Sequence, residues 1–69
     1  MANRLREIRK AKKMTQTILA EKSKVARSVI ARFETGRTEM STKNLTRITA
    51  ALGCSVDDIL KEENDGKAG

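Results

Sequence analysis

The sequence has no histidine, tryptophan, tyrosine or proline, and one phenylalanine and one cysteine in 69 residues. Each shortage excludes something. Without histidine and with a single cysteine, a zinc or blue-copper site lacks its usual ligands. The commonest general base and the Cys/His nucleophile pair are missing too, which disfavours an enzyme. One cysteine forms no intramolecular disulfide, so folding needs no oxidising compartment. No apolar run approaches the roughly 20 residues that span a bilayer, and no stretch reads as a signal peptide. A chain of this length makes one small domain with a small core.

Positive charge is abundant. Fifteen Lys and Arg face nine Asp and Glu, for a net charge of +6. The excess is confined to one part of the chain. Residues 1–40 carry 11 basic and 4 acidic side chains, whereas residues 41–69 carry 4 and 5. A basic face of this kind is directed at nucleic-acid phosphates or an anionic membrane, or serves only as a solvated surface.

Short helical periods divide the chain. Leu5, Ile8 and Ala11 mark a helix over 3–13. Thr15 is placed to cap a second helix over 16–23, with Leu19 inward. A break at Lys24, Val25 and Ala26 precedes a third helix over 27–35, with Ile30 and Phe33 inward and Gly36 as a left-handed terminator. Ser41 caps a fourth helix over 42–52, ended by Gly53. Ser55 and Asp58 stand at capping-box spacing before a fifth helix over 56–62. Residues 1–62 are expected to form the domain, with 63–69 as a polar, flexible tail. Such short helices are marginal alone and persist only by burying their apolar stripes together. The expected core is Leu5, Ile8, Met14, Leu19, Val25, Ile30, Phe33, Leu45, Ile48, Leu52, Val56, Ile59 and Leu60. Cys54 is expected as a buried, inert thiol.

Two short helices joined by a tight turn within 16–35 have the spacing of a helix-turn-helix. The run Met14, Thr15 and Gln16, then Leu19 to Ser23, then Val25 to Gly36, resembles the phage Cro and repressor-type helix-turn-helix family. Leu45, Ile48, Ala51 to Gly53 and Ser55 to Leu60 match that family's last two helices. The resemblance covers about residues 3–61. It implies an all-α, compact five-helix fold of the lambda-repressor type, with the helix-turn-helix at helices 2 and 3. It also implies a sequence-specific regulator of transcription, bound to duplex DNA through the third helix in the major groove.

The resemblance assigns roles residue by residue. Arg27, Ser28, Ala31 and Arg32 match base-reading positions. An arginine fork suits guanine O6 and N7, and Ala31 suits a thymine methyl. Gln16 matches a phosphate anchor at the start of the second helix, where free N–H groups and the helix dipole favour an anion. Thr35, Arg37, Thr38 and Lys43 match or flank a phosphate clamp. Arg9 and Glu34 match an ion pair that ties the first helix to the third. Lys10, Lys12 and Lys13 read as diffuse positive field.

The ordinary alternative for the arginines is a solvated helix face, or a phosphate contact without base reading. Phe33 lies on the inward stripe, which weakens binding of single strands through exposed aromatics. The sequence departs from the family pattern at three places. Lys24 stands where glycine is common in the turn, Ala26 where a Ser or Thr cap is usual, and Met40 where a loop proline is common.

The partners implied are an operator in double-stranded DNA and a second copy of the chain, on a palindromic site with half-site centres about one helical turn apart. Repression by blocking polymerase is the favoured output. No cofactor is expected. The implied location is the cytoplasm of a bacterium, or a phage-encoded product there, on the nucleoid. The alternative is an antitoxin-type module that also binds DNA and holds a protein partner.

Overall fold

The computed structural model describes residues 3–60. Among these are five helices and no strand: α1 (Leu5–Ala11), α2 (Gln16–Ser23), α3 (Arg27–Glu34), α4 (Thr42–Leu52) and α5 (Val56–Leu60). The all-α, five-helix expectation holds. The proposed tail at 63–69, and the expected end of the fifth helix at 61–62, lie outside the described residues.

Local chemistry places the helix starts. The Thr15 hydroxyl accepts the Ile18 N–H at 3.0 Å, and the Ser41 hydroxyl accepts the Asn44 N–H at 3.2 Å. The capping box before α5 is formed in both directions. The Asp58 N–H donates to the Ser55 hydroxyl at 3.1 Å, and the Ser55 N–H donates to the Asp58 carboxylate at 3.2 Å. Gly36 follows α3 with φ 79°. Its N–H bonds to the Phe33 carbonyl at 3.0 Å, and that of Arg37 bonds to the Arg32 carbonyl at 2.9 Å. This double closure satisfies the last carbonyls of the helix. Gly53 ends α4 with φ 74°.

α1 is shorter than its periodicity implies. Asn3 stands outside it and accepts the Leu5 N–H on its side-chain oxygen at 3.0 Å. At the other end Lys13 turns left-handed, with φ 59°. α3 stops one residue early, with Thr35 as its terminal cap.

α2 packs on α3 and α4, α4 packs on α5, and α5 closes on α1. Leu5, Leu19, Val25, Ile30, Phe33, Met40, Ile48, Leu52 and Ile59 are buried between them. Ile8, Met14, Leu45 and Cys54 are half-buried against this cluster, and Val56 is half-buried. Leu60 is not in the core: it is 48% exposed. Ile59 takes the inward position of α5, and the next residue lies about 100° round the helix. Met40, which stands where a loop proline is common, is buried and anchors the α3–α4 connection.

The α2–α3 turn is made without glycine. Lys24 has φ 64°, so a residue with a Cβ carries the left-handed step. Buried Ser23 compensates in part. Its hydroxyl donates to the Leu19 carbonyl at 2.7 Å and accepts the Val25 N–H at 3.3 Å. Ala26 occupies the cap position of α3 and supplies no side-chain acceptor. Ala26→Ser should therefore stabilise the domain by about 1 kcal/mol, raising the thermal midpoint by several degrees. An unchanged or lower midpoint would show that no hydroxyl at this position reaches the free N–H groups.

Candidate nucleic-acid interface

α3 presents two faces. Ile30 and Phe33 point into the core, whereas Arg27, Ser28 and Arg32 are exposed and Ala31 is half-buried. Positions 27, 28, 31 and 32 share one side of a helix, because residues four apart lie one turn above each other. The four expected base readers therefore form one outward stripe. Phe33 is 5% exposed and offers no stacking platform.

Behind this stripe lies a buried ion pair. Arg9 Nε donates to Glu34 Oε2 at 2.7 Å, and Nη2 donates to Oε1 at 3.2 Å. The two side chains are 8% and 3% exposed. The third arm of the guanidinium, Nη1, donates to the Met14 carbonyl at 2.8 Å. One arginine thus fastens α1 to the end of α3 and to the α1–α2 connection. Short, forked and charge-assisted, this is a strong contact. No buried polar side-chain atom is left without a partner among the described residues.

Gln16 opens α2, as expected, and is half-buried. Its amide nitrogen donates to Glu34 Oε1 at 3.1 Å, and its oxygen accepts from Arg27 Nη1 at 3.4 Å. Sequence reading placed Gln16 toward a phosphate and gave no sign of these lateral bonds. Their partners are 18 and 11 residues away, beyond any local pattern. Around them lies an open depression lined by Arg9, Lys10, Lys13, Met14, Thr15, Gln16, Thr17 and Arg27. It sits at the N-terminus of α2, where Gln16 and Thr17 hold the open backbone donors of the first turn. Lys10 and Lys13, read from sequence as diffuse field, line this depression. The left-handed turn at Lys13 has no signature in the sequence.

The remaining expected phosphate contacts lie on the surface. Thr35, Arg37, Thr38 and Lys43 are all exposed. The Thr35 hydroxyl turns back onto α3, donating to the carbonyls of Arg32 at 3.1 Å and Ala31 at 3.3 Å. The Thr38 hydroxyl bonds the Glu39 carbonyl at 3.3 Å. Arg37 and Thr38 border a second groove with Asn3, Phe33, Met40, Leu45 and Leu60. Asn3, missed as a structural residue, donates its side-chain amide to the Phe33 carbonyl at 2.8 Å. It holds the same C-terminal end of α3 that Arg9 holds through Glu34. A polar Asn ahead of an apolar helical period is the signal that marks it.

Cys54 is half-buried rather than fully buried. Burial pushes its thiol up from the ordinary value, and the Asp58 carboxylate adds to this while Lys12 opposes it. A raised thiol pKa means little thiolate near neutral pH and low reactivity. No cluster of His, Cys, Asp or Glu suited to a metal occurs among the described residues. No helix among them is long and apolar enough to cross a membrane.

Two short packed helices, a tight turn and an outward arginine stripe define a helix-turn-helix module. The Helix-turn-helix family matches residues 5–59, and the chain belongs to that family, of the phage Cro and repressor type. It is 40% identical over 63 residues to the immunity repressor protein of Bacillus phage phi105, covering 91% of this chain and 44% of that relative. It is 36% identical over 63 residues to an uncharacterized HTH-type transcriptional regulator, YqaE, of Bacillus subtilis (strain 168), covering 91% of this chain and 54% of that protein. The chain thus spans about half the length of these curated relatives.

The buried pair is open to a direct test. Glu34→Ala strands the Arg9 charge and should cost about 3–5 kcal/mol of unfolding free energy. Replacing both partners with apolar residues, Arg9→Met with Glu34→Leu, should cost clearly less than Glu34→Ala alone. Denaturant titration of the three proteins checks the order. A double variant as unstable as the single one would contradict the stranded-charge account.

Proposed function

We propose that this chain is a sequence-specific duplex-DNA-binding regulator of transcription, a repressor that acts as a dimer on a palindromic operator. The observation that carries the reading is the outward stripe of α3. Arg27, Ser28 and Arg32 are exposed on a helix whose other face is locked in the core. A helix of this width enters the major groove, where arginine distinguishes G·C from the other pairs. The basic depression at the start of α2 supplies phosphate contacts that set the register of the module. A relative of the same family is an immunity repressor, which agrees with this output.

The dimer contact falls on the side of α5. Leu60 is the most exposed large apolar residue of the described chain, and it borders a groove with Met40 and Leu45. One module buries little surface on DNA, so a two-fold pair supplies both affinity and operator symmetry.

In this reading Arg32 discriminates and the lysines attract. Arg32→Ala should lower operator affinity more than affinity for random duplex, by about 1–3 kcal/mol of discrimination. Equal losses on both DNAs would remove Arg32 from base reading. Operator affinity should also fall steeply between about 50 and 200 mM salt, through release of counterions. A flat response would contradict a phosphate-based interface.

A further inference from the structure

The ion pair between Arg9 and Glu34 explains how α1 holds α3, yet it leaves one bond unexplained. Glu34 Oε1 accepts from Gln16 as well as from Arg9, at 3.1 and 3.2 Å. A brace between α1 and α3 does not need that additional bond. Gln16 in turn accepts from Arg27 Nη1 at 3.4 Å. The result is a continuous chain of polar contacts, from a side chain 3% exposed to the first residue of α3 at the surface.

We propose that Glu34 is a positioning residue for sequence recognition. It fixes the orientation of the Gln16 amide, and the amide fixes the approach of Arg27 to a base. This rests on the DNA-binding reading above.

The argument is one of donors and acceptors. A glutamine amide has one accepting end and one donating end. Between a carboxylate and a guanidinium only one orientation satisfies both neighbours. With nitrogen toward Glu34 and oxygen toward Arg27, both contacts attract. Rotated by half a turn, oxygen meets carboxylate and N–H groups meet guanidinium, and both repel. The buried charge on Glu34 therefore selects the amide orientation seen at the surface. In that orientation one amide N–H remains for a phosphate oxygen, the group a phosphate anchor must present.

Arg27 gains from the same arrangement. An exposed arginine samples many rotamers and must surrender them on binding. The contact with Gln16 removes part of that freedom before DNA arrives. It uses one N–H of Nη1, and the edge formed by Nε and Nη2 stays available for guanine O6 and N7. Helix angle alone does not produce this effect, because the apolar residues Ile30 and Phe33 also hold α3.

Two variants separate the roles. Arg9→Met with Glu34→Leu keeps an apolar brace and removes the acceptor for Gln16. Gln16→Ala keeps the buried pair and removes the link to Arg27, without disturbing the core. The first readout needs no DNA. Gln16 is the one glutamine in the chain, so its side-chain amide signals are assigned without ambiguity by NMR. In the double variant these signals should move to the positions of a solvent-exposed glutamine, while the backbone signals of the buried Ile30 and Leu52 stay close to their wild-type positions. Gln16 signals that stay in place would overturn the proposal.

The second readout is competition binding across single-base variants of the selected operator. Each variant should lose about fivefold or more of the preference at one base pair per half-site, with less than about twofold change in preference elsewhere. The combination of all three substitutions should lose no more at that base pair than Gln16→Ala alone. An even loss across every sequence would leave Gln16 as a phosphate contact and Glu34 as a brace, and would overturn the proposal. Wild-type protein with no preferred sequence would instead sink the DNA-binding reading and the specificity claim built on it. The amide signals would still decide whether Glu34 orients Gln16.

Discussion

The structure depends on a charge that water does not reach. Arg9 and Glu34 meet in a fork at 2.7 and 3.2 Å with almost no solvent access. Burying two charges is costly, and the contact is tolerable only when every donor and acceptor is used. Here they are used. The guanidinium serves Glu34 and the Met14 carbonyl, and the carboxylate serves Arg9 and Gln16. Because Arg9 and Glu34 each need the other in place, the pair specifies one arrangement of α1, α3 and the α1–α2 connection. Packing of the small apolar core is less particular, since hydrophobic contacts carry no direction.

Much of this fold was legible in the residues because its boundaries carry explicit chemistry. Thr15 and Ser41 are hydroxyl caps, and α2 and α4 start where they indicate. Gly36 and Gly53 take the left-handed steps that glycine suits. Where the same step falls on Lys13 and Lys24, nothing local announces it. The end of α1 was therefore misplaced, and the α2–α3 turn was marked only weakly. Leu60 was misassigned for a different reason. Periodicity over a five-residue helix determines its facing poorly, and Ile59 holds the inward position.

The site divides along similar lines. The stripe of Arg27, Ser28, Ala31 and Arg32 follows from helical spacing, and the pairing of Arg9 with Glu34 follows from the family resemblance. Gln16 joins that pair to Arg27 through contacts over 18 and 11 residues, which no local pattern carries. Asn3 holding the Phe33 carbonyl spans 30 residues. Such bonds arise from the way the helices pack, so they are visible only once the helices are assembled. They tie the C-terminal end of α3 to α2 and to the segment before α1, and its first residue to the start of α2. The basic excess of residues 1–40 then has a shape: an open depression at the start of α2 beside the exposed arginines.

The central claim is that this braced, basic helix reads duplex DNA. Selection from a random duplex library, with sequencing of the bound sites, tests it most directly. The account predicts enrichment of a two-fold symmetric motif with G·C pairs in each half-site, and half-site centres about one helical turn apart. Recovery of no motif at all, from folded protein at moderate salt, would contradict it.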